Sequence, residues 1–513
     1  MEWPHSDERF FASQLRSRPY GAAADLTPSP AEGRWSAAQI DASCRWPVLL
    51  LFASALAWLV LGSLLQFIIA IKLHAAGFLA DSPWLTLGRL RPAAMDCFLY
   101  GFASQAGMGV LLWLFCRLGG IKLVLHWPLL VAGKVWNIGV TVGFLGILLG
   151  YSTGFEWLEM PRAAASLLFL AFALFGLVAV VLFTLRRQNE LFPSQWFLLA
   201  GLFWFAWSYS GANFLTVVNP VRGSFQAVVN AWFTGSFLNL WLAPIAFAGV
   251  LYFVPRLTGQ PLFSRELAIF AFWTQLGFGS FAGLSSLVES PVPRWIGSVG
   301  TAATVGLLLP LAINALNWHR TLHGNCQAWK TDIILRFVLF GAGCYLLQGI
   351  LGAVYATPQV AAIIGFTYAG VGKTFLTLHG FVAMVLFGCL YYIVPRVAQV
   401  AWPRPGWIRV HWVCSVAGVG LVFLGLTIGG IVQGFKMTDP QVPFPSVVKG
   451  TIMFVGISTL GVLSVLVGQI AFLGNFALLL QRVLQPLYQM VLVECCGYAP
   501  DATPTVAKAG GKP

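Results

Sequence analysis

Charge is what this 513-residue chain has least of: 9% of its residues are Asp, Glu, Lys or Arg, against 58% that are hydrophobic. A soluble protein carries about a quarter charged residues, so an ordinary water-facing surface is excluded. No phosphate-binding glycine loop is present, which removes ATP-driven transport. No Cys-x-x-Cys-His occurs, so no c-type haem is attached covalently. The nine cysteines, among them Cys97, Cys116, Cys344, Cys389 and Cys414, lie mostly in apolar segments and behave as small hydrophobes. Their spacing fits neither disulfides nor zinc. Cys495 and Cys496, beyond the last apolar stretch, are either a lipid acceptor or an inert pair. The net charge of +13 comes without a basic run that could follow a phosphate backbone, which excludes nucleic acid as a partner. On a membrane protein such charge reflects basic loops against anionic headgroups.

What is there in quantity is long apolar sequence. Runs of 20 or more residues recur from Trp46 to Leu480, and about twenty residues cross a hydrocarbon core of about 30 Å. The fold class is therefore an all-α integral membrane protein with about twelve transmembrane helices. Turn and charge clusters place them at 46–72, 92–117, 127–151, 162–186, 195–218, 224–255, 266–288, 295–318, 331–356, 371–395, 407–434 and 447–480. Residues 1–43 lack the short apolar core and cleavage site of a signal peptide. They are read as a polar cytoplasmic tail, 44–482 as the membrane domain, and 483–513 as a C-terminal tail. With the N-terminus inside, Arg117, Lys122, Arg186, Arg187, Arg256, Arg265, Arg320, Lys330, Arg396, Arg404 and Arg409 fall on the cytoplasmic side. Fewer basic residues fall opposite: Lys72, Arg89, Arg91, Arg162, Arg222, Arg294 and Lys436. Basic loops mark the inner side, so both termini are expected in the cytoplasm. No internal repeat with matched motifs is apparent.

Several blocks, in order, resemble subunit I of the cbb-type (C-family) haem–copper oxidases. They are "IKLH…WLTLGRLRP" (Ile71–Pro92), "WNIGVTVGFLGILLGYSTGFEWLEMP" (Trp136–Pro161) and "SQWFLLAGLFWFAWSYS" (Ser194–Ser210). "AGVLYFVPRLTGQPLFSRELAIFAFW" (Ala248–Trp273) and "GCLYYIVPR" (Gly388–Arg396) follow. The resemblance covers about residues 40–480 and implies a twelve-helix subunit I bundle in a bacterial inner membrane. It also implies a chemistry built on six histidines: two on a low-spin haem, one on a high-spin haem and three on copper. Imidazole suits that work because its neutral nitrogen binds iron or copper firmly in an orientation the protein fixes.

None of those positions holds histidine here. The helix-two ligand position falls on Ala94 in "AAMD", and the helix-six copper position on Gly235 in "AWFTGSF". The adjacent copper pair falls on Ser285 and Ser286, and the family's tyrosine on Gly279. The His-x-His of helix ten falls on Lys373 and Phe375. Serine, glycine, alanine and phenylalanine do not replace imidazole, so no catalytic residue, haem or copper is expected in this chain. Phe375 is expected to fill the low-spin site, with the 21 Trp and 41 Phe supplying further bulk.

Seven histidines remain: His5, His74, His126, His319, His323, His379 and His411. Most flank spans, where an amphipathic ring sits at the interface. His319 and His323, at i and i+4, share a face that either binds a metal or only meets solvent. His379, one turn beyond Phe375, is the candidate rewired haem ligand; the alternative is a packed, hydrogen-bonded ring. An ionisable residue inside a span is costly unless paired or wet. Asp96 and Lys373 are therefore expected to pair in the vacated haem space, unless Lys373 reaches water. Lys134 and Lys449 snorkel, and Glu156 and Glu159 anchor the loop "GFEWLEMP".

The leading expectation is a haem-free, non-catalytic subunit that scaffolds a respiratory or electron-transfer complex. A membrane-anchored c-type cytochrome would be its partner and carry the haem. Two alternatives stand beside it: an oxidoreductase retaining one haem through His379, and a proton or ion route past Lys373 and Asp96.

Overall fold

The computed structural model describes residues 35–496 apart from 289, 324 and 326; at 487 and 489–496 it describes the backbone only. The tail residues 1–34 and 497–513, with His5, lie outside the described residues, as do the Cys495 and Cys496 side chains. No strand occurs among the described residues. A bilayer supplies no hydrogen-bond partners for open backbone, so apolar runs of this length close their amides within helices.

Among the described residues, twelve long helices form the bundle. The first six are α1 (Arg45–Lys72), α2 (Leu87–Gly119), α3 (His126–Leu149), α4 (Arg162–Thr184), α5 (Pro193–Asn213, running on through Phe214–Val218) and α6 (Phe225–Thr258). The rest are α7 (Arg265–Leu287), α8 (Arg294–His323), α9 (Ile333–Tyr355), α10 (Tyr368–Ala398), α11 (Pro405–Met437) and α12 (Phe444–Cys496). Eleven are long and apolar enough to cross a membrane; α5 falls short of that apolarity. All twelve expected helices are present, with ends moved by local chemistry. Asp332 accepts from the amides of Ile334 and Leu335 at the start of α9, and Thr367 caps α10 ahead of its expected start. The helices α6 and α10 continue past Pro255 and Pro395, and α2 starts before Pro92. Ala37–Ser43 is a capped helix with Asp41 buried, and α12 runs past 482 to Cys496.

Three helices, α2, α6 and α10, are far more enclosed than the others. Near its middle each widens into a π-helical stretch: Cys97–Ser104, Phe237–Leu242 and Leu376–Ala383. Such stretches concentrate at functional sites. A further one ends α5. The three helices meet through their rings, Tyr100 on Phe237 at 5.4 Å, Phe102 on Phe387 at 5.5 Å and Phe247 on Phe381 at 5.6 Å.

The same three helices also end alike. Each closes on a left-handed residue, Gly120, Gly259 or Gln399, three positions after an arginine, Arg117, Arg256 or Arg396. A matched repeat with a four-helix period is therefore present, contrary to the sequence expectation. It escapes notice because the shared residues are few and Gln399 stands where glycine is usual.

Candidate functional site

The expected copper position between α6 and α7 is closed by main chain. A Cβ on Gly235 would lie 2.3 Å from the Gly283 Cα, and a Cβ on Gly283 would lie 2.2 Å from the Ala231 carbonyl oxygen. No side chain of any kind fits at Gly235. Behind this contact Gly300 of α8 presses on the same turn, where a Cβ would meet the Ser285 amide nitrogen at 2.1 Å. The hydroxyls of Ser285 and Ser286 donate to Ala282 and Gly283 carbonyls at 2.7 and 2.9 Å, which occupies them locally. At Gly279 an added Cβ would press on the Asn239 side chain at 3.1 Å and the Leu240 side chain at 3.3 Å, so any side chain there requires its neighbours to give way. These residues do not fit a copper ion.

Between α2 and α10 the closure is made by side chains. Ala94 is buried without a donor atom, and Phe375, also buried, stacks on His379 at 4.0 Å and 6°. Phe98, one turn beyond Ala94, covers His379 with a ring-to-ring distance of 4.3 Å. A macrocycle ligated from the Ala94 and Phe375 positions would stand across the line joining them. One helical turn along, about 5.4 Å, Phe98 and His379 already touch. The residues present do not fit a haem there. His379 has its ring faces against Phe375 and Phe98, and its Nδ1 is buried with no hydrogen-bond partner. It is packed as one alternative held, but not hydrogen-bonded at that nitrogen.

The expected pairing of Asp96 with Lys373 is not made. Asp96 is 1% exposed and neither carboxylate oxygen has a hydrogen-bond partner. The Lys373 amine instead lies 5.9 Å from the centre of the Tyr355 ring, at the end of α9. A four-carbon stem lets lysine turn toward a helix end, whereas the short Asp96 side chain stays where its helix puts it.

Other residues settle plainly. His411 is not an interface ring but fully buried, its Nδ1 2.9 Å from the Tyr391 hydroxyl and its ring between Phe387 and Phe472. His74, His126, His319 and His323 are exposed, and no group of three or more metal-ligating side chains occurs among the described residues. The α3–α4 loop is anchored through its main chain. Tyr100 donates to the Trp157 carbonyl at 2.6 Å, Asn230 to that of Glu156 at 2.8 Å, and the Thr153 amide to that of Glu159 at 3.1 Å. Burial pushes the Glu159 carboxyl up to about 8, and nearby Glu156 adds to the shift.

A polar cluster that sequence reasoning missed gathers where α2, α6 and α10 end. Arg117 lies 3.6 Å from the Asp41 carboxylate, which accepts from the Trp113 indole at 2.8 Å. Arg256 donates to the Tyr392 hydroxyl at 3.2 Å, and the Arg396 guanidinium lies 3.4 Å over the Tyr392 ring. Burial raises the Asp41 carboxyl, while Arg117 and Trp113 pull it back. The repeated arginine, three positions before each helix stop, was the available signal.

Fold and site together define a class: a helical membrane bundle whose three central helices widen at mid-length and carry no metal ligands at the expected positions. The chain belongs to the cytochrome c and quinol oxidase polypeptide I family, whose profile matches residues 47–464. It is 24% identical over 393 residues to a cytochrome c oxidase subunit 1 homolog of Azorhizobium caulinodans, covering 74% of this chain and 71% of that protein. It is 25% identical over 387 residues to a cbb3-type cytochrome c oxidase subunit, CcoN1, of Stutzerimonas stutzeri, covering 74% and 81%. A bacteroid subunit 1 homolog of Bradyrhizobium diazoefficiens is 26% identical over 396 residues, covering 74% and 71%. The protein is thus an oxidase subunit I-like integral membrane protein.

Proposed function

We propose that this chain is a non-catalytic, haem-free subunit that scaffolds a respiratory or electron-transfer complex in a bacterial inner membrane, with both termini cytoplasmic. The observation that carries this reading is the main-chain contact of Gly235 with Gly283, which leaves no volume for a ligand at the copper position. The Phe98, His379 and Phe375 stack supports it at the low-spin position. A subunit without its own redox centre earns its place through contacts, and specific interfaces bury about 1,200 Å² or more. The proposed partner is a membrane-anchored c-type cytochrome, which would hold the haem.

The test has two arms. The purified chain should show no Soret band and no stoichiometric iron or copper. Mild detergent extraction should recover it with at least one membrane protein bearing c-type haem. Haem near one equivalent per chain, lost on His379→Ala, would replace this reading with the rewired oxidoreductase. Recovery as a lone monomer in several mild detergents would remove the scaffold role.

A further inference from the structure

Three carboxyls, Glu156 and Glu159 of the α3–α4 loop and Asp96 of α2, are graded in burial, and the Tyr100 hydroxyl of α2 holds that loop by donating to the Trp157 carbonyl between the two glutamates at 2.6 Å. Glu156 is exposed, Glu159 half-buried and Asp96 fully buried. Glu159 lies close enough to both of the others for their charges to interact. Asp96 has no hydrogen bond on either oxygen, and the Glu159 Oε2 is likewise buried without a partner. The titratable groups that face Asp96 are Glu159 from the loop, Tyr209 from α5, and Tyr100 and Cys97 on its own helix. None of these is a cation. Arg91 acts on Glu156 and Glu159 but is not among the groups acting on Asp96, and Lys373 points elsewhere.

An unpaired carboxylate removed from water takes up a proton rather than keep its charge. Two carboxyls close together do not both ionise. We infer that Asp96 and Glu159 form a proton-binding site that holds a proton inside the bundle at neutral pH, filled from solvent by way of Glu156. The step is simple: a hydronium gives its proton to a carboxylate, leaving water and a carboxylic acid, and Asp96 is its final seat. This site goes beyond the scaffold reading and does not rest on it. Its two carboxyls would be present whether or not a partner cytochrome is found.

Infrared difference spectroscopy of the full-length chain in lipid nanodiscs tests it. At neutral pH a C=O stretch of a protonated carboxylic acid should appear and shift in heavy water. The Asp96 component should be lost in Asp96→Asn and the band should move in Glu159→Gln, and Glu156→Gln should slow its hydrogen–deuterium exchange severalfold. Where Asp96→Asn fails to fold, the loop variant Glu159→Gln gives the deciding readout. Absence of any such band at neutral pH, or a band unmoved by Glu159→Gln, would overturn the site. So would a band that appears only after treatment with a chelator, since a metal cation would then be the occupant.

Discussion

At Gly235 and Gly283 the main chains of α6 and α7 meet with nothing between them, whereas α2 and α10 are joined by the rings of Phe98, His379 and Phe375. The first closure depends on side chains being absent and the second on their being present. They therefore respond oppositely to mutation. A single added carbon disturbs the α6–α7 contact, and ring removal leaves the α2–α10 contact hollow. Close packing is reached in both places, because an unfilled wall loses its dispersion partners. The route differs, and so does the tolerance.

The largest effect is expected from emptying the ring stack. Phe98→Ala should destabilise the chain by about 3–5 kcal/mol, the usual range for deleting a buried phenyl, read as a lowered thermal unfolding midpoint in mild detergent. An unchanged midpoint would show that the stack does not hold α2 to α10. Gly235→Ala comes next, at about 1–3 kcal/mol for overpacking, because its one methyl must displace main chain rather than a pliable side chain. If Gly235→Ala were as stable as the parent, the α6–α7 contact would be looser than described.

A smaller effect, outside both closures, is a pH slope from Glu159. The folded chain keeps the Glu159 proton up to about pH 8, while the unfolded chain releases it near 4.5. Between those values the folded state binds more protons, so raising the pH lowers stability; below and above that window the slope from this group vanishes. The midpoint should fall from pH 5 to pH 8 in the parent, and Glu159→Gln should flatten the curve. The smallest effect belongs to Ser286→Ala, within about 0.5 kcal/mol, since this exposed hydroxyl only returns to its own helix carbonyl. A large loss there would give Ser286 a task the contact does not reveal.

Much of this architecture was legible from residues alone. Hydropathy located all twelve helices, even α5, whose aromatic and polar content leaves it short of the apolarity of the rest. The ligand positions were counted from flanking motifs such as "YFVP" and "YYIVP". What escaped depends on helix rotation and on neighbours distant in sequence. Nothing in "AWFTGSF" announces that Gly235 will rest on Gly283, and nothing near His411 announces Phe472. The wide stretches in α2, α6 and α10 rotate later residues off a regular helical face, so face arithmetic is unreliable across them. Asp96 and Lys373 illustrate the same limit: each was correctly placed on its helix, and their separation comes from where the two side chains turn.

The contact at Gly235 also acts as a ratchet on descent. A histidine arising there first would be rejected by the Gly283 main chain before any metal could reward it. Any residue larger than glycine at this position therefore needs a shift of the facing main chain in the same step, so the two helices can change only together.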